Sequence, residues 1–252
     1  MPKFAVILPA AGGSSRFGKN VNDPITGKRN KKVFAELKGR PVWVRAAEVF
    51  LKRDDVVQAL IVIAPDDIDF FKDKFQANLA FMNIEIVPGG KERADSVRNA
   101  LARVKPDVDF VAVHDAARPL IVKKWIDIVF DAAERTGAAI PAVPISSTVK
   151  RVENRNIVET VSRQGLWAAQ TPQVFKRTLL MEAYAKWQGG EATDEALLVE
   201  QLGHPVAVVE GSPMNVKITS QEDFKLAEAL VNALPQEKGL GSLHPFADDR
   251  FL

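Results

Sequence analysis

Residues 4–8 form an unbroken apolar run, FAVIL, closed by Pro9 and a segment of small residues, AAGGSS. Such a run predicts a strand buried on both faces, because a half-exposed strand would alternate apolar with polar positions. The same signal recurs at residues 56–64, 84–87, 110–113 and 138–143. Between these runs the apolar residues fall at helical spacing over 41–53, with proline in the first turn, over 66–76, and over about 123–136. A further helix is predicted to run from the segment 89–97 to about residue 104. Strand and helix alternating in this way predict an α/β fold, a mostly parallel sheet with helices on both faces. In such sheets the ligand lies at the carboxyl ends of the strands.

Residues 148–163, TVKRVENRNIVETVSR, break that rhythm. Two alternating segments flank the polar ENRN, which predicts a β-hairpin, and a lone hairpin needs something to pack on. It is either an arm at about 146–164 that reaches onto another subunit or an extension of the main sheet. Helices are expected over 177–187, over 193–202 with Thr193 as N-cap, and over 221–234, and short strands over 206–209 and 215–218. One domain therefore spans 1–234, and 235–252, rich in glycine, proline and charge, is expected to be a flexible tail.

Composition removes whole classes of function. With 34 basic and 32 acidic side chains the formal net charge is +2, so no global field draws the chain to nucleic acid or an anionic membrane. The absence of cysteine excludes disulfides, thiolate metal sites and a cysteine nucleophile. There is no apolar run of membrane-spanning length and no basic-apolar-small leader pattern, and a cytoplasmic protein is the expectation.

Three segments each begin where a predicted strand stops: PAAGGSSR at 9–16, GGKERADS at 89–96 and HDAARP at 114–119. They are far apart in sequence yet can meet at one cleft. Glycine and serine leave backbone N–H groups uncovered, and Arg16 follows them as a fixed cation suited to phosphate oxygens. The dinucleotide fingerprint G-x-G-x-x-G is not supplied. Residues 13–20, GSSRFGKN, match G-x4-G-K but place Asn20 where a magnesium-binding hydroxyl belongs. A P-loop NTPase and a nucleotide-binding module without catalysis thus stay open on the residues alone. His114 reads as structural, since no second histidine or acid stands at ligand spacing.

Taken in order, PAAGGSSR with a later lysine, GG(x)ERADSV, HDAARP, LW(x)A(x)TPQ and NVKIT make a set that resembles the 2-C-methyl-D-erythritol 4-phosphate cytidylyltransferases of the non-mevalonate isoprenoid pathway, from about residue 3 to 233. The resemblance implies Mg2+-dependent transfer of CMP from CTP to a sugar-alcohol phosphate by a homodimer joined through the β-arm. By it, Arg16, Lys32 and Lys217 are the catalytic cations. Ala10, Ala11, Gly12, Gly13, Gly90 and Ser96 hold the nucleotide, and Asp115 holds the ribose near the metal. Arg118, Thr148, Arg163, Thr171 and Thr193 meet the acceptor, Thr148 and Arg163 across the dimer. Simpler readings stand beside these roles: Asp115 as a turn former, Lys217 as a surface lysine, Thr193 as a helix cap.

The chain departs from the pattern in three places. The linker from Arg16 to Lys32 is longer than the family's, and Lys31 stands where a proline usually precedes the catalytic lysine, so Lys31 competes with Lys32 for that role. Lys91 replaces the usual acid after the two glycines. A ribitol-5-phosphate cytidylyltransferase is the alternative, because its motifs overlap almost completely.

Overall fold

The computed structural model describes residues 1–14, 17, 31–190 and 192–235. Arg16, the basic linker at 19–30 and the tail from 236 onward lie outside the described residues. The elements are β1 (Phe4–Pro9), a 3-10 turn (Lys32–Phe34), β2 (Glu36–Leu37), β3 (Arg40–Pro41), α1 (Val42–Leu51), β4 (Val56–Ile63), α2 (Ile68–Lys74), α3 (Gln76–Met82), β5 (Glu85–Pro88) and α4 (Arg93–Leu101). They continue as β6 (Phe110–Val113), α5 (Lys123–Thr136), β7 (Ala138–Pro144), β8 (Val149–Glu153), β9 (Asn156–Val161), β10 (Trp167–Ala169), β11 (Gln173–Lys176), α6 (Arg177–Lys186), α7 (Glu195–Glu200), β12 (Ala207–Glu210) and α8 (Gln221–Leu230).

The main sheet runs β10-β7-β11-β6-β1-β4-β5, and β12 also pairs with β7. β1, β4, β5 and β6 are parallel, as is the β12–β7 pair, whereas β10 and β11 run antiparallel to their neighbours. β1 shows why its sequence is apolar without a break. Phe4, Val6 and Leu8 enter one core with Trp43, Phe50, Phe71 and Phe130, while Ala5 and Ile7 enter another with Leu60, Val97, Val113 and Phe175. Successive residues of a strand point to opposite faces, so covering both faces requires every position to be apolar. Phe4 stacks on Phe130 at 4.0 Å between ring centroids, which fixes α5 against the central strand. α5 ends on Gly137, whose φ of 84° is the left-handed cap that a side chain would strain.

β8 and β9 pair only with each other among the described residues and do not join the main sheet. Their turn places Asn154 and Arg155 at φ 47° and 65°, the positive pair of a two-residue hairpin turn.

Four expectations are corrected. The helix expected over 66–76 is α2 followed by α3, separated at Phe75 (φ −114°, ψ 22°). Its second half escaped the pattern because Phe81, an apolar residue, is 90% exposed and blurs the period. α7 is capped by Asp194, whose Oδ1 accepts from the Leu197 N–H at 3.1 Å, and not by Thr193. Residues 215–218 form no strand, since their alternation reflects Ile218 and Val216 packing with Phe17, Leu37 and Leu120 rather than a ladder. The closing helix stops at Leu230 and tightens into a 3-10 turn over Val231–Ala233.

Candidate active site

Each of the three strand-end segments starts with one further hydrogen bond to the neighbouring strand. Ala10 N–H donates to Val62 O at 2.9 Å, Gly89 N–H to Ile63 O at 2.8 Å, and His114 N–H to Ile7 O at 2.9 Å. The loops therefore leave the sheet from one edge, at its carboxyl ends, and enclose a cavity of about 350 Å³. Of the expected residues, Ala10, Ala11, Gly12, Gly13, Lys32, Gly90, Ser96, Asp115 and Lys217 line it, together with Lys91, Glu92 and Arg93. Cations outnumber carboxylates on its wall, which suits a polyanion.

Small residues are needed at the floor. A Cβ on Gly89 would lie 2.6 Å from the Ala11 Cβ, and one on Gly90 would collide with Asp95 at the start of α4. Gly90 N–H donates to Ser96 Oγ at 3.0 Å, so the Ser96 hydroxyl pins the glycine turn to α4 and keeps its own proton to donate. The opening loop is tied to the lysine segment where Lys32 N–H donates to Ser14 Oγ at 3.4 Å. Lys31 turns the other way, into a largely buried ion pair with Asp67, while Lys32 borders the cavity.

Asp115 is the electrostatic centre. Its Oδ2 accepts from Lys217 Nζ at 2.7 Å, and its Oδ1 faces Arg93 Nη2 at 3.3 Å and Nε at 3.4 Å. Burial alone would push this carboxyl up, but Arg93, then Lys217 and Arg118, outweigh it and hold the group well below the usual carboxylate range. Arg118 sits behind the cavity, with Nη1 donating to Asn215 O at 2.7 Å and its buried Nε, 3.9 Å from Asp115 Oδ2, lacking a hydrogen-bond partner.

The turn that carries Asp115 is set by His114 and Thr171. His114 Nε2 lies 3.1 Å from Arg118 O, a pure acceptor, so Nε2 carries the proton and Nδ1 accepts. The Thr171 hydroxyl donates to Nδ1 at 3.2 Å and accepts from Asp115 N–H at 3.1 Å. Burial lowers the His114 pKa to about 4, which keeps the ring neutral and the direction of this chain fixed. Thr171 is thus buried and committed within the fold, and it does not line the cavity.

Thr193 borders a second cavity, of about 550 Å³, whose other walls include Glu92, Arg93 and Gly190. Thr148 and Arg163 are exposed beside the paired Val149 and Val161 at the base of the hairpin, and they line neither cavity of this chain. From the sequence, Glu195 is a helix N-terminal acid and neither it nor Arg93 has a role at the site. Arg93 Nη1 and Nη2 donate to Glu195 Oε1 and Oε2 at 2.7 and 3.0 Å, and Glu195 is fully buried. The available signal was an arginine inside ERAD and a glutamate just after Thr193, but nothing in spacing joins residues 102 positions apart.

Residues 4–233 match the 2-C-methyl-D-erythritol 4-phosphate cytidylyltransferase family. The chain belongs to that family. The enzyme of this name from Rhodopirellula baltica is 40% identical over 244 residues, covering 92% of this chain and 96% of the relative. That from Bacillus licheniformis is 38% identical over 232 residues, with 91% and 96% covered. Among solved structures, the cytidylyltransferase from Thermus thermophilus superposes with a TM-score of 0.72 at 33% identity, covering 91% of this chain and 99% of that one. A crystal structure of 4-diphosphocytidyl-2C-methyl-D-erythritol synthase reaches 0.76 at 31% identity, with 92% and 99% covered. A cytidylyltransferase of this family has to hold a nucleotide, and the small residues at the cavity floor leave room for one.

Proposed function

We infer that this chain transfers CMP from CTP to 2-C-methyl-D-erythritol 4-phosphate, releasing pyrophosphate and forming 4-diphosphocytidyl-2-C-methyl-D-erythritol for isoprenoid precursor synthesis. The observation that carries this reading is the meeting of three strand-end loops on one cavity that combines a small-residue floor, Asp115, Lys32 and Lys217. A P-loop NTPase would not require the loops at Gly90 and Asp115. The family match and the relatives' names favour the methylerythritol acceptor over ribitol 5-phosphate.

In the reaction an acceptor phosphate oxygen attacks the α-phosphorus of CTP in line, the new P–O bond forms, and the bond to pyrophosphate breaks. The attacking oxygen is already anionic, so no strong general base is needed. The task is to bring two polyanions together and to stabilise charge on the five-coordinate phosphorus and the leaving group. Lys32 and Lys217 supply positive charge at the cavity wall, and Arg16 takes the remaining cation role by family resemblance. Backbone groups at Ala10, Ala11 and Gly90, with the Ser96 proton, suit the rigid edge of cytosine, and Gly12 and Gly13 allow close approach of the triphosphate. Asp115 meets the ribose.

Mg2+ fits this donor set: Asp115, held ionised, offers the single hard carboxylate that such an ion takes alongside phosphate oxygens and water. When bound it would neutralise triphosphate charge and orient the α-phosphate. Thr193 serves the acceptor side, Thr171 and Arg118 act from behind the cavity through Asp115, and the exposed hairpin presents Thr148 and Arg163 to the site of a second copy in a cytoplasmic homodimer. Val152 and Ile157, 54% and 64% exposed on that hairpin, favour such burial. Substrate profiling tests the acceptor: preferential turnover of ribitol 5-phosphate would overturn this choice. Sedimentation as a monomer at assay concentration would overturn the action of Thr148 and Arg163 in trans.

A further inference from the structure

Of the three cations around Asp115 among the described residues, Arg118 stands at 3.9 Å without a hydrogen bond to it, and the two that touch it are of different kinds. Lys217 makes a single bond through a flexible stem and its side chain is 40% exposed. Arg93 presents a planar fork, and the far side of that fork is gripped by Glu195 through two bonds of 2.7 and 3.0 Å. Glu195 is itself immobile. Tyr184 Oη donates to its Oε1 at 3.2 Å, and its backbone N–H donates to Gln173 Oε1 on β11 at 3.1 Å. Gln173 Nε2 in turn donates to Asp194, the cap of α7, at 2.8 Å. Arg93 also forms part of the wall of both the Asp115 cavity and the Thr193 cavity.

We propose that Arg93, clamped by Glu195, is the permanent counter-charge of Asp115 and a positioning residue for nucleotide binding, so that Lys217 is free to leave Asp115 for the triphosphate. The proposal rests on the CTP reading above. The physical reason is a division of labour. A buried carboxylate cannot lose all its partners at once, since an unpaired buried charge is strongly destabilising. If Lys217 turns to phosphate, something must keep Asp115 partnered and oriented toward the ribose. A bidentate guanidinium anchored on its other side can do so, whereas a single ammonium cannot hold two carboxylates in a fixed plane. The same pair ties the start of α4 to the start of α7, so the wall shared by the two cavities is a rigid ion pair rather than a loop.

The test is a double-mutant cycle on CTP affinity, measured by calorimetry on the full chain with Mg2+. Arg93→Gln is expected to weaken CTP binding about tenfold, a coupling in the range seen for contacting residues. In an Asp115→Asn background the same change should cost less than about twofold, because its target is already gone. Arg93→Lys should not restore binding, and Glu195→Gln should weaken CTP binding only where Asp115 is retained. Additive losses in the cycle, or wild-type affinity in Arg93→Gln, would overturn the proposal, as would rescue by Arg93→Lys. Should Arg93→Gln fail to fold, the Glu195→Gln and Asp115→Asn cycle gives the same decision. A wild-type chain that binds no CTP would instead overturn the reading beneath it.

Discussion

Replacing His114 by Phe separates the burial of this ring from its hydrogen bonds. The ring lies 5.1 Å from Phe50 between centroids and is fully buried, so a phenyl group keeps an aromatic ring against Phe50 while removing both ring nitrogens. At neutral pH the variant leaves the Arg118 carbonyl without the imidazole donor and the Thr171 O–H without its acceptor, at about 1–3 kcal/mol each. The pH dependence should move the opposite way. His114 has a folded pKa of about 4 against an ordinary 6.5, because burial disfavours the imidazolium. Between those values the unfolded chain binds the proton and the native chain does not, so stability is complete above pH 6.5 and falls as pH drops toward 4. At about 1.4 kcal/mol per pH unit the full loss is about 3 kcal/mol, and about 2 kcal/mol of it has gone by pH 5, before most carboxylates titrate. Urea denaturation followed by tryptophan fluorescence at pH 7 and pH 5 measures it. The variant should be less stable than wild type at pH 7, with the gap about 2 kcal/mol smaller at pH 5. An equal gap at the two pH values would refute the buried neutral histidine and, with it, the fixed direction of the His114–Thr171–Asp115 chain.

Two other predictions concern the cavity wall. Lys32→Ala should lower the rate about a hundredfold, on the order of 3 kcal/mol for one preorganised cation, while Lys31→Ala should keep the rate and lower stability through loss of Asp67. The reverse pattern in steady-state kinetics would show that the longer linker shifts the register of the catalytic lysine. Gly89→Ala should weaken CTP binding by calorimetry, because its Cβ would sit 2.6 Å from that of Ala11 and part the base-binding floor; unchanged affinity would place the base elsewhere.

How far the fold and site could be read in advance depended on how local each signal was. β1, β6 and α5 were legible because strand alternation suppressed by two-sided burial, or a helical stripe closed by Gly137, is written in consecutive residues. The antiparallel turn of β10 and β11 was not, since LWAAQTPQVF carries no period that distinguishes its direction. At the site, the strand-end motifs led to Ala10, Gly90, Ser96 and Asp115 lining one cavity. Thr171 was noticed but its surroundings were not legible: only the folded chain shows its hydroxyl between His114 and the Asp115 N–H. The Arg93–Glu195 clamp was out of reach for the same reason, because it joins the first turns of α4 and α7, which only their packing on the same face of the sheet brings together.

The central claim is the transfer of CMP, and the most direct measurement is pyrophosphate release by purified protein given CTP, 2-C-methyl-D-erythritol 4-phosphate and Mg2+, with the nucleotide product identified by mass. One pyrophosphate should appear for each 4-diphosphocytidyl-2-C-methyl-D-erythritol formed, and none when the acceptor is left out. Hydrolysis of CTP without acceptor, or no pyrophosphate with both substrates present, would contradict the account.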